Sequence, residues 1–269
     1  MIKNVLLSIL LATSAFTTDE MKWRETRHAS ITSENGWLTL VGLDWLHEGS
    51  NEITLPAHPA VKRTFVLQNG KVTMNGAVLR DDTDPQGPTV EHIGSLSFNA
   101  IKRGDKNGDR YGIRMKDPQS PARAHFKGLE YFAPNPDFRV EARFEPYNPP
   151  KKVSITNVLG MTSDEVAPGA LVFTMKGQTY RIDPILEQGE KDLFIIFKDA
   201  TSGKETYGAA RYVYAPPPGK DGKTVIDFNH AYNPPCAFTT FATCPLPPPQ
   251  NRLKLRIEAG EKKYAGGHA

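Results

Sequence analysis

Short runs of alternating or β-branched residues recur along this chain, separated by turn pairs, and that rhythm restricts the fold more than any other feature. Phe65-Val66-Leu67 stops at Asn69-Gly70, and Val72 to Met74 stops at Asn75-Gly76. Ser95 to Arg103 faces Asp109 to Lys116 across a Gly104 to Gly108 turn. Asn-Gly pairs favour the positive φ of tight hairpins. Further strands are expected at Phe138 to Phe144, Lys152 to Asn157, Ala170 to Thr174, Thr179 to Asp183, Leu193 to Lys198, Thr206 to Tyr214, Thr224 to Asp227 and Leu253 to Glu258. Strands at such spacing argue for an all-β, antiparallel sandwich or barrel rather than βαβ units. Leu193 to Phe197 is apolar at every position and should be buried on both faces.

The N-terminal region departs from this pattern. Lys3, an apolar run from Val5 to Ala12 and small residues at Ser14 and Ala15 have the plan of a secretory signal peptide. The run is too short for a bilayer, which takes about 20 residues. A mature protein in the periplasm or outside the cell, with no stable membrane insertion, is therefore expected. Glu20 to Ser33 should form a short helix, and the apolar cluster from Trp37 to Leu46 a core plug. The expected divisions are residues 1–15 as signal, 16–50 as helix and plug, 51–133 as one β domain and 134–269 as a second, with the boundary near the proline-rich stretch from Pro134 to Pro150. The formal charge is +3 from 33 basic and 30 acidic residues, so no electrostatic footprint argues for a nucleic-acid partner. Composition does not specify the oligomeric state.

Asp227 to Pro249 concentrates prolines, asparagines, His230 and both cysteines of the chain. Proline fixes φ and lacks an N–H, so this segment can be neither helix nor central strand and must hold its side chains on a stiff irregular backbone. Segments of that kind often carry function. Asp227 with Tyr207 or His230 could act in hydrolysis as base and acid, or Asp227 and Asn229 could offer oxygens to a metal. Alternatively, Asp227 and Asn229 cap the turn through backbone N–H groups. Tyr207 and Arg211, on the same side of an expected strand about 13 Å apart, would wall a pocket against the Asp227 to Cys236 corner, with Arg211 and Arg114 supplying charge for a small anionic or sugar-like ligand. A purely structural or interaction module is the other alternative. Asn251 could return to satisfy backbone in the corner.

Cys236 and Cys244 are candidates for a disulfide, which would contribute roughly 2–3 kcal/mol by the chain-entropy model. Their spacing around His230 matches a zinc motif poorly, so no zinc site is expected on them and no metal ligand is assigned. The sequence names no cofactor. Asp105 to Asp109 begins like a calcium loop but places Arg110 and Lys116 where glycine and glutamate are required. On β-strand alternation, Tyr111, Ile113 and Met115 should face inward and Arg110, Arg114 and Lys116 outward, as a solvated row or an anion-binding groove.

The segments WRETRHASITSENGWLTLVGLDWL from Trp23, GIRMKD from Gly112, FKGLEYF from Phe126, FKDATSGKETYGAARYVY from Phe197, DFNHAYNPPCAF from Asp227, CPLPPPQN from Cys244 and EAGEK from Glu258 resemble the bacterial family known as domain of unknown function 1684. The resemblance implies a β-rich protein, often exported, without an assigned reaction. It carries over motif positions Arg114, Asp117, Asp199, Thr201, Tyr207, Arg211, Asp227, Asn229, Asn233 and Asn251, with no role for any of them. Asp199 and Thr201 are accordingly grouped with Arg114, Arg211, Asn229, Asn233 and Asn251 as candidate ligand-binding residues.

Overall fold

A computed structural model describes residues 2–187 and 189–266, with side chains from residue 16 onward. The side chains of the expected signal segment lie outside the described residues. Helix α1 runs from Ile2 to Thr32, so the short helix expected over Glu20 to Ser33 is the C-terminal part of a longer one. Among the described residues no helix is long and apolar enough to cross a membrane.

The cluster expected as a plug forms a 3-10 turn at Trp37–Thr39 and then strand β1 (Leu40–Trp45). Leu38 and Leu40 are buried, whereas Trp37 and Trp45 are half-buried beneath cationic side chains. Next come β2 (Gly49–Leu55), β3 (Val61–Gln68), β4 (Lys71–Met74) and β5 (Ala77–Leu79), an antiparallel meander. Its two tight turns have positive φ at Asn69, Gly70, Asn75 and Gly76, the conformation that both central residues of this hairpin type require. Strands β6 (Val90–Ile93), β7 (Leu96–Arg103) and β8 (Arg110–Lys116) join β1 in the order β1-β8-β7-β6. The two four-stranded sheets bury Leu55, Phe65, Phe98, Ile113 and Met115 between them.

A long hairpin follows, β9 (Arg139–Thr156) and β10 (Thr162–Met175). Strand β9 passes through Pro146, Pro149 and Pro150, which strand chemistry disfavours. Two features accommodate them. The register slips between Ala167 and Gly169, and β14 (Lys223–Asp227) pairs only with Arg139 to Arg143, so the prolines lie where β9 has no second neighbour. Strand β11 (Gln178–Ile182) completes the order β11-β10-β9-β14. Strands β12 (Leu193–Phe197) and β13 (Arg211–Ala215) form a two-stranded ladder. All five residues of β12 are buried, with Leu193, Ile195 and Phe197 in one apolar cluster and Phe194 and Ile196 in another.

Two strand assignments change. The strand expected from Thr206 begins only at Arg211. Leu253 to Glu258 alternates in burial, with Leu253, Leu255 and Ile257 buried, but its backbone bends at Lys254 and Leu255 and it is not a ladder strand. The expected outward row on β8 also divides: Arg110 is exposed, but Arg114 is only 8% exposed.

Candidate functional site: the inter-sheet cleft

Most of the polar residues expected to form a ligand pocket are engaged with the chain's own backbone. Arg211 has no exposed surface. Its terminal nitrogens donate to Ala259 O at 2.5 Å, Ile257 O at 2.8 Å and Asp199 Oδ1 at 3.3 Å. Asp199 also accepts from Ile257 N at 2.8 Å and from the Thr201 hydroxyl at 2.8 Å. The Leu253 to Ala259 segment lacks a ladder, and buried backbone groups need partners, so side chains supply them at Ile257 and Ala259. Asn251 plays the same part, accepting from Asp183 N and donating to Asp183 O and Ile196 O. Asn233 donates its backbone N–H to the Glu261 carboxylate and its side-chain Nδ2 to Lys262 O. Asn229 brackets the backbone of Asn135. Asp227 caps the 3-10 turn Phe228–His230 by accepting from Asn229 N.

The Tyr207 hydroxyl donates to Cys236 O at 2.8 Å, whereas His230 adjoins Asp227 and Glu20. The expected disulfide is absent. Cys236 and Cys244 are both buried free thiols, with Cys236 N donating to Cys244 Sγ at 3.0 Å. Burial and the neighbouring Cys236 push the Cys244 thiol upward, toward the neutral form.

A different concavity gathers aromatic and cationic side chains around open volume. Alternation along β13 sends Arg211 and Val213 into one core and turns Tyr212 and Tyr214 to the opposite face. There Phe194 stacks on Tyr214 at 5.0 Å and meets Tyr212 edge-on at 5.0 Å, with Tyr232 completing the wall. Trp37, Arg103 and Arg114 face them from the first sheet and the turn before it. The hollow is about 380 Å³. A second hollow of about 490 Å³ shares Arg103, Glu187, Phe194, Thr243 and Pro245 with it and adds the apolar Ile155, Met161 and Ile185.

Charge in the cleft is unevenly compensated. Arg103 grips both oxygens of Asp82, at 2.9 and 2.8 Å, and donates through Nε to the Thr243 hydroxyl. Arg114 reaches the same carboxylate only at 3.6 Å, and its buried Nε has no hydrogen-bond partner. Two guanidinium groups thus share one acid. Burial, with Arg103 adding to it, pulls the pKa of Arg114 down to about 10, which still leaves it charged near neutrality.

Glu187 lies at the rim. The residue is exposed, but its carboxylate turns in to accept from the Tyr214 hydroxyl at 2.9 Å, and shielding there raises its pKa despite that bond. Burial pushes Tyr232 up to about 12 and Tyr212 and Tyr214 higher still, so all three phenols are neutral donors at physiological pH.

Of the residues picked from the sequence for ligand binding or catalysis, Arg114 alone is among those lining this hollow, together with Cys244, which was picked for a disulfide. Arg103, Glu187, Tyr212, Tyr214 and Tyr232 were missed. The alternating Tyr212-Val213-Tyr214 of β13 was the available signal.

No curated protein matches this chain. Among solved structures, it is similar to the solution NMR structure of the uncharacterized protein from gene locus rrnAC0354 of Haloarcula marismortui, with 32% identity over 54% of this chain and 80% of that one and a TM-score of 0.45. The model for the family described as protein of unknown function (DUF1684) matches residues 124–262. The tyrosine wall falls within that span, whereas Trp37, Arg103 and Arg114 precede it. With more than half of its length matched, the chain belongs to the DUF1684 family.

Proposed function

We propose that the protein binds a small organic anion with a flat or sugar-like body in the inter-sheet cleft. The carrying observation is Arg114: a buried guanidinium beside the hollow, with a partnerless Nε and only a share of Asp82. A buried cation without its own counter-ion favours an incoming anion, and a guanidinium fork matches carboxylate or phosphate geometry. Opposite it, Tyr212, Tyr214, Tyr232 and Phe194 line the hollow with aromatic surface for the body of the ligand. Export by the secretory route belongs to the same reading and is supported by Lys3, the Val5 to Ala12 run and Ser14-Ala15.

The test is a thermal-shift screen of aromatic carboxylates, sugar acids and phosphorylated sugars, followed by calorimetry on any hit. A ligand that binds only the folded state adds about 2.7 kcal/mol at 100 times its dissociation constant. At least one anion should raise the midpoint while its uncharged analogue does not. A panel in which no anion acts, or in which the neutral analogues act equally, overturns the reading.

A further inference from the structure

Helix α1 meets the C-terminal corner through a group of side chains that the cleft does not use. Glu20, Asp227 and His230 each present a ligand atom, and these atoms all lie within 4.8 Å of one another. Glu20 comes from the helix, whereas Asp227 and His230 come from the two ends of the 3-10 turn 200 residues later.

Glu20 is only 1% exposed, and its Oε2 is buried without a hydrogen-bond partner. A buried carboxylate in that state is costly unless a cation compensates it. Its ion-pair contact among the described residues is with His230 Nε2, 2.9 Å from Oε1, yet that nitrogen too is without a bond of acceptable geometry. Arg24, one helical turn along, is directed to Phe132 O and the Tyr131 ring instead.

We infer that Glu20, Asp227 and His230 form a binding site for a divalent transition-metal cation of the zinc type. Two carboxylates and an imidazole suit such an ion, and one divalent charge neutralises both acids while His230 ligates through a ring nitrogen. The ligands are already oriented. His230 is stacked on Trp23 at 4.7 Å with the rings 6° from parallel, and Asp227 Oδ1 is held by Asn229 N and Nδ2, which leaves Oδ2 available. Supports of this kind fix ligand geometry in metal sites. Arg139 Nε, 3.5 Å from Asp227 Oδ2, opposes the ion, but its side chain is 55% exposed and can swing away. The His230 side chain is 33% exposed, so one side of the site is open to solvent. Three protein ligands and an open position would leave room for water or a fourth ligand. The expectation of no zinc site was drawn from cysteine and histidine spacing, which cannot register a ligand as distant as Glu20.

The experiment uses the untagged full chain, stripped with chelator and titrated with zinc alone and, separately, with cobalt(II) alone. Wild type should bind one equivalent of zinc and melt at a higher temperature with it. His230→Ala and Asp227→Asn should each weaken binding at least tenfold while circular dichroism stays unchanged, and Arg139→Gln should tighten it. The cobalt form should show no sulfur-to-metal charge-transfer band, since such a band would place the ion on Cys236 and Cys244. Absence of stoichiometric zinc in wild type, full retention in His230→Ala, or a thiolate band would each overturn the assignment.

Discussion

Arg211 and Arg114 are both buried arginines near a carboxylate, and they occupy opposite situations. Arg211 sits under the C-terminal segment, where its terminal nitrogens donate to the carbonyls of Ile257 and Ala259 and to the carboxylate of Asp199. Arg114 faces a hollow and shares Asp82 with a better-placed competitor, Arg103. Each leaves its Nε without a partner, so an orphan nitrogen alone does not distinguish them. The difference lies in where the other donors go and whether empty volume adjoins them. A charged residue in a motif marks a site only when the chain's own backbone has not already claimed it.

If that contrast holds, substitution should separate the two arginines by their effect on folding. Arg211→Ala leaves Asp199 buried without its counter-ion and strips two backbone carbonyls, a loss of about 3–5 kcal/mol. Arg211→Lys should recover little of it, because a lysine cannot span the same three acceptors with a planar fork. Urea unfolding of the two variants measures this, and a midpoint within error of wild type would break the comparison at its structural end.

The cleft arginine should behave the other way. Arg114→Gln leaves Asp82 held by Arg103 at both oxygens and relieves one buried charge, so stability should change by no more than about 1 kcal/mol. The affinity of an anion found by the screen should fall at least tenfold, about 1.4 kcal/mol, reflecting one lost charge-assisted contact. Unchanged affinity in a folded variant would remove Arg114 from the site.

The parts of this molecule that were legible in the sequence are those written locally. Asn69-Gly70 and Asn75-Gly76 dictate their own positive φ values, so the meander of β2 to β5 follows from neighbouring residues. The all-β class and the doubly buried β12 follow in the same way. Leu253 to Glu258 shows where pattern stops short: burial alternates as in a strand, yet the backbone bends at Lys254 and Leu255, and the partners of Ile257 are the side chains of Asp199 and Arg211 rather than a neighbouring strand. On β13 the expected start was five residues early. Alternation therefore could not be carried from Tyr207, and attention fell on Arg211 instead of Tyr212 and Tyr214. The cleft itself joins Trp37, Arg103 and Arg114 to residues from 187 onward. No local pattern encodes that meeting.

The smallest expected effect is a pH dependence, and it tests whether Glu187 belongs with Arg114. Partial burial raises the Glu187 pKa above the ordinary glutamate value, the Tyr214 hydroxyl opposes that rise, and the nearby acids Glu190 and Glu165 add to it. The folded state therefore holds this proton to higher pH than the unfolded chain does. Between the two values the native form binds more protons, so the contribution to stability falls as pH rises through that window. Anion affinity should fall over the same interval, since the rim acquires a negative charge while Arg114, with a pKa of about 10, stays protonated throughout. Glu187→Gln should flatten the profile. Tyr214→Phe, which removes the hydroxyl that stabilises the carboxylate, should move the midpoint upward. Calorimetric titration of one anion from acidic to neutral pH reads all three proteins. Affinity that rises with pH, or a slope that survives in Glu187→Gln, would detach the rim carboxylate from the cleft and leave Arg114 to act without it.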